Sequence, residues 1–468
     1  MTTELRTHAQ RASERIPPIA LPYVSERARK ALDLVEKFVE EECIPADAVY
    51  QQQIGKTVEE RFNSHPPIME ELKQRAREYG LWNMFLPRNH FKEGAGFSNV
   101  EYGLMAEILG KSRIASEATN CAAPDTGNME VLAKYGNAAQ KKQWLEPLLE
   151  GKIRSAFLMT EPNVASSDAT NIELAVHQEG NEWVLNGQKW WSSGAGDPRC
   201  TIYLVMAKSD PNNADKYKQQ SVVLVPHDAP GITIHRMLSV FGYDDAPHGH
   251  GHITFKNVRV PIGNMVLGAG RGFEIIQGRL GPGRIHHAMR SVGAAEKALD
   301  LFVARLNDPN KVAFGKMLNE HGVMLDRLAR ARIDIDAARL IVLNAAIKID
   351  LSNAKGALKE IAEAKVLVPK TLLETIDMAI QAYGAAGVCQ DTPLANMYAN
   401  GRTMRIVDGP DEVHLQQLGK AENKRGQQVL KYYKTQDANV ERVLKSHGLG
   451  KVDPLQLNRE SGKGGSRL

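Results

Sequence analysis

The spacing of apolar residues changes period twice along the chain, and that ordering restricts the fold more than any single residue does. Residues 28–44, "ARKALDLVEKFVEEECI", place Leu34 and Phe38, and Val35 and Val39, four apart before Pro45, the spacing of one helix face. The helical reading continues through "IMEELKQRAREYG", which ends at Gly80, and on through "NVEYGLMAEILGKSRIASEA" and "AAQKKQWLEPLLEGK". From about residue 156 to 266, short β-branched and aromatic runs separated by Gly, Pro and Asn-Gly take over, which predicts a compact β domain. After Gly270 helices return: Leu328, Ile335, Val342 and Ile349 recur every seven residues, with Arg330, Arg332, Asp334 and Asp336 beside them, as in a long bundle helix. Further helices are expected at roughly 285–306, 356–384 and 411–434, with Pro369 kinking or dividing the middle one.

A chain of 468 residues is too long for one core. The expected organisation is α+β: an N-terminal α-helical domain (1–155), a middle β-barrel-like domain (156–270), a C-terminal four-helix bundle (271–440) and a tail (441–468). Lys plus Arg at 59 against Asp plus Glu at 55 leaves a net charge of only +4, so nothing asks for nucleic acid as a partner. Cys43, Cys121, Cys200 and Cys389 show no CxxC and no metal-ligand spacing, which points to a reducing compartment. The N-terminus lacks the apolar core of a secretory signal, and no run of about 18 apolar residues occurs, so no membrane span is expected.

Several short stretches carry groups suited to chemistry, and each also has a plain structural reading. In "LMTEPNVASSDATNI" (158–172), Thr160, Ser166 and Ser167 offer short hydroxyls in a loop led in by Phe157 and Met159; a turn that caps a strand uses the same residues. In "LNGQKWWSSGA" (185–195), Trp191, Ser192 and Ser193 follow Asn186-Gly187, which reads as a hairpin turn. Trp190 and Trp191 point to opposite faces of a regular strand, so only one packs on any given ring. "QAYGAAG" (381–387) reads as a helix end turning on glycines. His248, His250 and His252 alternate, a spacing a metal site uses, but a polar sheet face explains it equally and no metal is inferred. In "IVDGPDEVHLQQL" (406–418), Asp408 is either the cap of a helix starting near Pro410 or a positioned base. Asp411 and Glu412 already suit that helix start, and the β-like lead-in aims Asp408 elsewhere.

These motifs, with "FKNVRVP" (255–261), lie in an α, β, α order that resembles the acyl-CoA dehydrogenase family over about residues 30–435. "MTEP" with "VASSDATNI", and "DGPDEVH", are similar to the branch that carries a kinase-like domain fused in front in some animals. The resemblance implies FAD as cofactor. It puts Phe157, Met159, Thr160, Ser166, Ser167, Trp191, Ser192 and Ser193 along the flavin, with Ser167 also reaching the acyl-CoA. The family's Glu-Pro-Gly-Ala-Gly-Ser-Asp is here one residue longer and lacks both glycines. Gly281 and Arg284, in "GPGR" just before the first bundle helix, fall where the family meets acyl-CoA. "KVAFGK" resembles an Arg-x-x-Phe-Gly segment that reaches a neighbouring subunit's flavin pyrophosphate, giving Lys311 and Phe314, with Lys replacing Arg. Gln381, Tyr383, Gly384 and Gly387 match the loop near the adenine-side diphosphate, and Pro410 and Glu412 fall near the flavin. Asp408-Gly409 stands where most relatives have a Glu-Gly-Thr base motif, so Asp408 is the expected α-proton base and Gly409 the group nearest the thioester carbonyl.

The expected reaction is FAD-dependent α,β-dehydrogenation of an acyl-CoA to the trans-2-enoyl-CoA, within fatty-acid or branched or substituted acyl-CoA degradation. An acyl-CoA oxidase using dioxygen and a catalytically silent acyl-CoA-binding protein are the alternatives. The partners expected are acyl-CoA, a second copy in a homodimer or tetramer, and an electron-transfer flavoprotein or dioxygen as acceptor. Ser466-Arg467-Leu468 resembles a peroxisomal address, which in a eukaryotic source implies the peroxisome and otherwise leaves the cytoplasm.

Overall fold

A computed structural model describes residues 8–451, with the backbone alone at residues 279–282; Ser466-Arg467-Leu468 lies outside the described residues. The described parts of Met1–His414 and of Leu415–Leu468 form two compact units.

The first unit begins with helices. α1 (Glu26–Phe38) starts on the Ser25 side chain, which accepts the Ala28 N–H at 3.2 Å, a cap contributing about 1 kcal/mol. Val35, Phe38 and Val39 are buried, while Leu34 faces outward. Pro45 does not end this run. A five-residue π-helical turn, Val39–Cys43, leads into α2 (Ile44–Gln53), which has Pro45 in its first turn, where a missing N–H is tolerated. α3 (Pro67–Glu78), α4 (Asn99–Leu109) and α5 (Asp125–Tyr135) follow. Ser98 and Glu101 form a capping box on α4, and the helix is buried almost all round because it packs on α1 and on two long helices described below.

Seven strands make the middle sheet: β1 (Arg154–Leu158), β2 (Ala175–Glu179), β3 (Glu182–Ser193), β4 (Cys200–Lys208), β5 (Gln220–Pro226), β6 (Ile232–Met237) and β7 (His250–Pro261). The order is β1-β4-β2-β3-β7-β6, with β5 also on β4; β1 and β4 are parallel and most other pairs antiparallel. Asn186-Gly187 is not the hairpin turn expected from its sequence. β3 runs straight through it, with a bulge between Leu185 and Gly187. Gly187 has φ +145°, and a Cβ there would stand 2.8 Å from Leu174 Cα, so the glycine serves a close backbone approach inside a strand.

Helices return with α6 (Gly272–Leu306), α7 (Gly322–Leu351) and α8 (Leu358–Tyr383), which pack on one another, while α9 (Leu394–Thr403) packs on α8. A two-strand hairpin, β8 (Val312–Ala313) and β9 (Lys316–Met317), joins α6 to α7. Ile335, Val342 and Ile349 are buried, as their seven-residue spacing predicts. Two breaker signals do not end their helices, because packing outweighs local propensity. α6 begins ahead of Gly281 and continues through Arg284, and α8 continues through the buried Pro369. The single helix expected at 411–434 is two, α10 (Asp411–Asn423) and α11 (Gly426–Ser446). Helical N- and C-terminal parts around a sheet are the expected α+β class.

A charged cluster joins the first helices to the sheet. Arg154, at the start of β1, meets Glu117 at 2.7 Å and Asp125 at 2.9 Å, and Arg199 meets Glu117 and Asp197, each at 2.8 Å. His248 lies between Glu117 (3.0 Å) and Asp197 (2.9 Å). Burial and Arg154 push the imidazole down, but Glu117 and Asp197 outweigh them and raise it to about 9.

Candidate active site

Asp408 lies on the turn between α9 and α10. The lead-in Ile406-Val407 is neither buried nor β-like: residues 404–408 form turns and Ile406 is 58% exposed. What aims Asp408 is its backbone, with φ +56° followed by Gly409 at φ +98°, a left-handed pair that L side chains rarely adopt. Three elements hold this turn. From α6, Arg284 Nε donates to the Asp408 carbonyl at 3.1 Å; from α10, His414 Nε2 lies 3.3 Å from the same oxygen. A carbonyl only accepts, so His414 carries its proton on Nε2. Its buried Nδ1 finds no partner among the described residues, and burial with Arg284 pushes the ring down to about 4.

His287, one turn beyond Arg284, places Nε2 3.7 Å from the Asp408 carboxylate. Arg290 donates to His287 Nδ1 at 3.2 Å, which puts the His287 proton on the nitrogen facing Asp408. From α8, buried Lys365 donates to the Met404 carbonyl; burial pushes its amine down to about 8, against the opposing pull of Asp408 and Asp411. Asp411 takes the structural part of this helix start, receiving Arg405 Nε at 2.6 Å. The Pro410 carbonyl accepts the Val413 N–H at 3.0 Å, and Glu412 is exposed. His287 and Lys365 have no sequence signal, because each looks like an ordinary polar position on its own helix; His414 stands inside the "DGPDEVH" motif but is not singled out by it.

The second group comes from β1 and β3. Trp190 N–H donates to the Thr160 carbonyl at 3.0 Å, and Lys189 Nζ to the Met159 carbonyl at 2.8 Å. The two motifs expected along a flavin therefore stand side by side. Glu161 is buried, pairs with Lys189 at 2.8 Å and accepts the N–H groups of Glu173 and Leu174 at 2.7 and 2.9 Å. Within the loop, the Ser166 hydroxyl receives the Glu161 N–H at 3.0 Å, whereas Ser167 is exposed. Trp191 has φ +51° at a bulge between Lys189 and Ser192, and its ring is 38% exposed. A large aromatic held open by a strained backbone is a feature of binding sites. Phe157, Met159 and Thr160 are half-buried nearby in sequence. Ser192 is buried, and its Oγ has no partner among the described residues. Ser193 Oγ lies 2.9 Å from His250 Nδ1.

The three histidines of "HGHGH" diverge. His248 precedes β7 and joins the charged cluster, His250 pairs with Ser193, and His252 stacks near His235 and Trp190. Among the described residues, no group of three or more His, Cys, Asp or Glu is arranged to hold a metal.

Other expected contacts lie on connections. Phe314 and Gly315 form the tip of the β8–β9 hairpin, with Phe314 99% exposed at φ +54° and Lys311 just ahead of β8. Gln381 and Tyr383 end α8 and Gly384 follows at φ +62°. A Cβ on Gly387 would stand 2.6 Å from the Ile380 carbonyl. Arg305 from α6 binds the Ala382 and Tyr383 carbonyls at 3.2 and 3.3 Å and fixes this end. Gly281 lies inside α6, not ahead of it.

Domain models of acyl-CoA dehydrogenases match this chain three times: the N-terminal domain at residues 25–152, the middle domain at 156–258 and the C-terminal domain at 270–422. The chain belongs to the acyl-CoA dehydrogenase family. Acyl-CoA dehydrogenase family member 11 of Gallus gallus is 51% identical over 404 residues, 86% of this chain and 51% of the relative. A Mycobacterium tuberculosis protein assigned as acyl-CoA dehydrogenase FadE2 is 50% identical over 397 residues, 84% of this chain and 95% of that one. The chain spans about half the length of the family member 11 relatives. A solved structure from Mycobacterium abscessus assigned to the acyl-CoA dehydrogenases superimposes with a TM-score of 0.80 at 46% identity, covering 86% of this chain and 99% of that one. Butyryl-CoA dehydrogenase from Megasphaera elsdenii gives a TM-score of 0.70 at 25% identity, with 85% and 98% covered.

The family implies FAD, and the residues present fit it. The open Trp191 ring offers a flat face, and the Ser193 hydroxyl beside it offers one polar contact, which is what a planar, heteroatom-edged ring requires.

Proposed function

We propose that the chain is a flavin-dependent dehydrogenase that converts an acyl-CoA to its trans-2-enoyl-CoA, with Asp408 as the base. The observation that carries this reading is the Asp408 turn: a carboxylate on a left-handed backbone, its carbonyl held by Arg284 and His414 and its carboxylate facing the Nε2–H of His287. Fixing the carbonyl from two helices orients the carboxylate before substrate arrives, the condition for efficient proton abstraction. Asp408 takes the α-proton, and the Gly409 N–H is available to the thioester carbonyl, which gains negative charge as that proton leaves. Bound FAD supplies the acceptor for the β-hydrogen and its electron pair.

Trp191, Thr160 and Ser193 would hold the ring. The engagement of Ser166 within its own loop supports Ser167 as the hydroxyl shared between flavin and acyl-CoA. The fully exposed Phe314, on a hairpin tip where the family reaches across subunits, supports self-association. Asp is one methylene shorter than Glu, and Pro410 takes the place of Thr, which supports a branched or substituted acyl group over a plain straight chain.

Anaerobic addition of an acyl-CoA panel tests the reading. The flavin colour is expected to bleach with the preferred acyl-CoA and to do so about 100-fold or more slowly in Asp408→Asn, the scale of a lost general base. Normal bleaching by the variant removes Asp408 from the role, and best turnover with medium straight chains removes the substituted substrate. Hydrogen peroxide released in air separates dioxygen from an electron-transfer flavoprotein as acceptor.

A further inference from the structure

His250 is half-buried, stands opposite Ser193 in the β3–β7 register and belongs to neither expected group of site residues. Its Nδ1 lies 2.9 Å from Ser193 Oγ, and its ring lies against Trp191, with centroids 5.5 Å apart at 45°. Its other nitrogen faces the Asp245 carboxylate at 3.8 Å, and Arg113 holds Asp245 at 3.2 Å. One imidazole therefore contacts both the open tryptophan and the hydroxyl beside it.

The direction of the Ser193 hydrogen bond follows from these charges. Burial pushes His250 down; Asp245 opposes this and His248 adds to it, leaving the ring neutral with one proton at pH 7. Asp245 draws that proton to Nε2. Nδ1 is then an acceptor, and the Ser193 O–H must donate to it. A hydroxyl has one proton, so Ser193 turns only lone pairs toward any second partner.

We propose that His250 is a positioning residue for the flavin ring: it backs Trp191 and fixes Ser193 as a hydrogen-bond acceptor toward the cofactor. The inference rests on the reading of Trp191 and Ser193 as flavin contacts. An acceptor favours the form of the ring that carries more N–H groups, the reduced form. His250 thereby raises the flavin's midpoint potential, which by linkage is tighter binding of the reduced ring relative to the oxidised one, without touching the substrate.

The test uses holoenzyme of the wild type, His250→Phe, His250→Asn, Ser193→Ala and the double variant Ser193→Ala with His250→Phe. The dissociation constants of oxidised FAD and, anaerobically, of reduced FAD are measured by dilution and ultrafiltration and taken as a ratio, and the midpoint potential by equilibration with redox dyes. Loss of this acceptor is expected to weaken binding of reduced flavin relative to oxidised FAD about fivefold in His250→Phe, with a correspondingly lower midpoint potential. His250→Asn, which keeps a polar atom near the Nδ1 position, is expected to restore most of both. Non-additive effects in the double variant support the pairing. Wild-type values of both quantities in His250→Phe, or strictly additive effects in the double variant, overturn the inference. A wild-type protein that takes up no FAD overturns the flavin assignment itself, a different failure.

Discussion

Replacing His248 with Gln probes the charged cluster that fastens the first helices to the sheet. The wild-type imidazole is bound by Glu117 at 3.0 Å and Asp197 at 2.9 Å and is raised to about 9, against roughly 6.5 in an unfolded chain. A raised value means that the folded state holds the proton more tightly. The resulting stability is complete below about pH 6.5 and is lost as pH climbs through 9. At pH 7 the two values correspond to about 2.5 kcal/mol. About a quarter of the side chain reaches solvent, which screens the pair and brings the expectation to about 2 kcal/mol. The assay is the unfolding midpoint of wild type and His248→Gln from pH 6 to 10, read as a difference because a multidomain chain has no single unfolding free energy. Other groups that titrate in this range, Lys189 among them at about 8, act in both proteins and cancel. The gap is expected to be widest at pH 6 and to close by pH 10. A gap that stays constant across the range would show that the histidine works by shape and not by charge.

Gly409→Ala puts a side chain at φ +98° with its Cβ 3.0 Å from His414 Nε2; a backbone cost of about 1–3 kcal/mol at this turn should lower turnover at least about tenfold, as measured by steady-state kinetics. Lys189→Met strands the buried Glu161 carboxylate, which keeps its two backbone donors, so thermal denaturation should show a loss near about 3 kcal/mol. Phe314→Ser should leave the protomer's unfolding unchanged, since that ring is 99% exposed. If it is buried between copies, the substitution should weaken self-association about tenfold to a hundredfold in sedimentation velocity.

The order of helices and strands was legible because apolar period is a local property, and Ile335, Val342 and Ile349 face inward as their spacing predicts. Asn186-Gly187 as a turn, a division of α8 at Pro369 and a β-like lead-in to Asp408 all differ from the structure for one shared reason. Each carries a strong local signal, yet what decides it is a neighbour distant in sequence: Leu174 packs against Gly187, α6 and α7 pack along α8, and Arg284 draws in the Asp408 carbonyl. The same physics hid half of the candidate site. Asp408 is found through its motif, and His414 lies inside that same motif, whereas His287 and Lys365 reach it from two other helices with nothing in their own surroundings to mark them.

Glu161 closes residues 162–172 like a buckle, gripping Lys189 on one side and the amides of Glu173 and Leu174 on the other. Beyond that grip, Ile172 packs on Met206 and the Thr170 carbonyl receives Lys208 of β4, which leaves the exposed positions Asn163, Ala165, Ser167 and Asp168 with little part in holding the sheet. The segment can therefore gain a residue or shed its glycines, as it has here, while Thr160 stays fixed to Trp190. Its exposed stretch is the natural place to exchange sequence between relatives when substrate preference is to be altered without disturbing the frame.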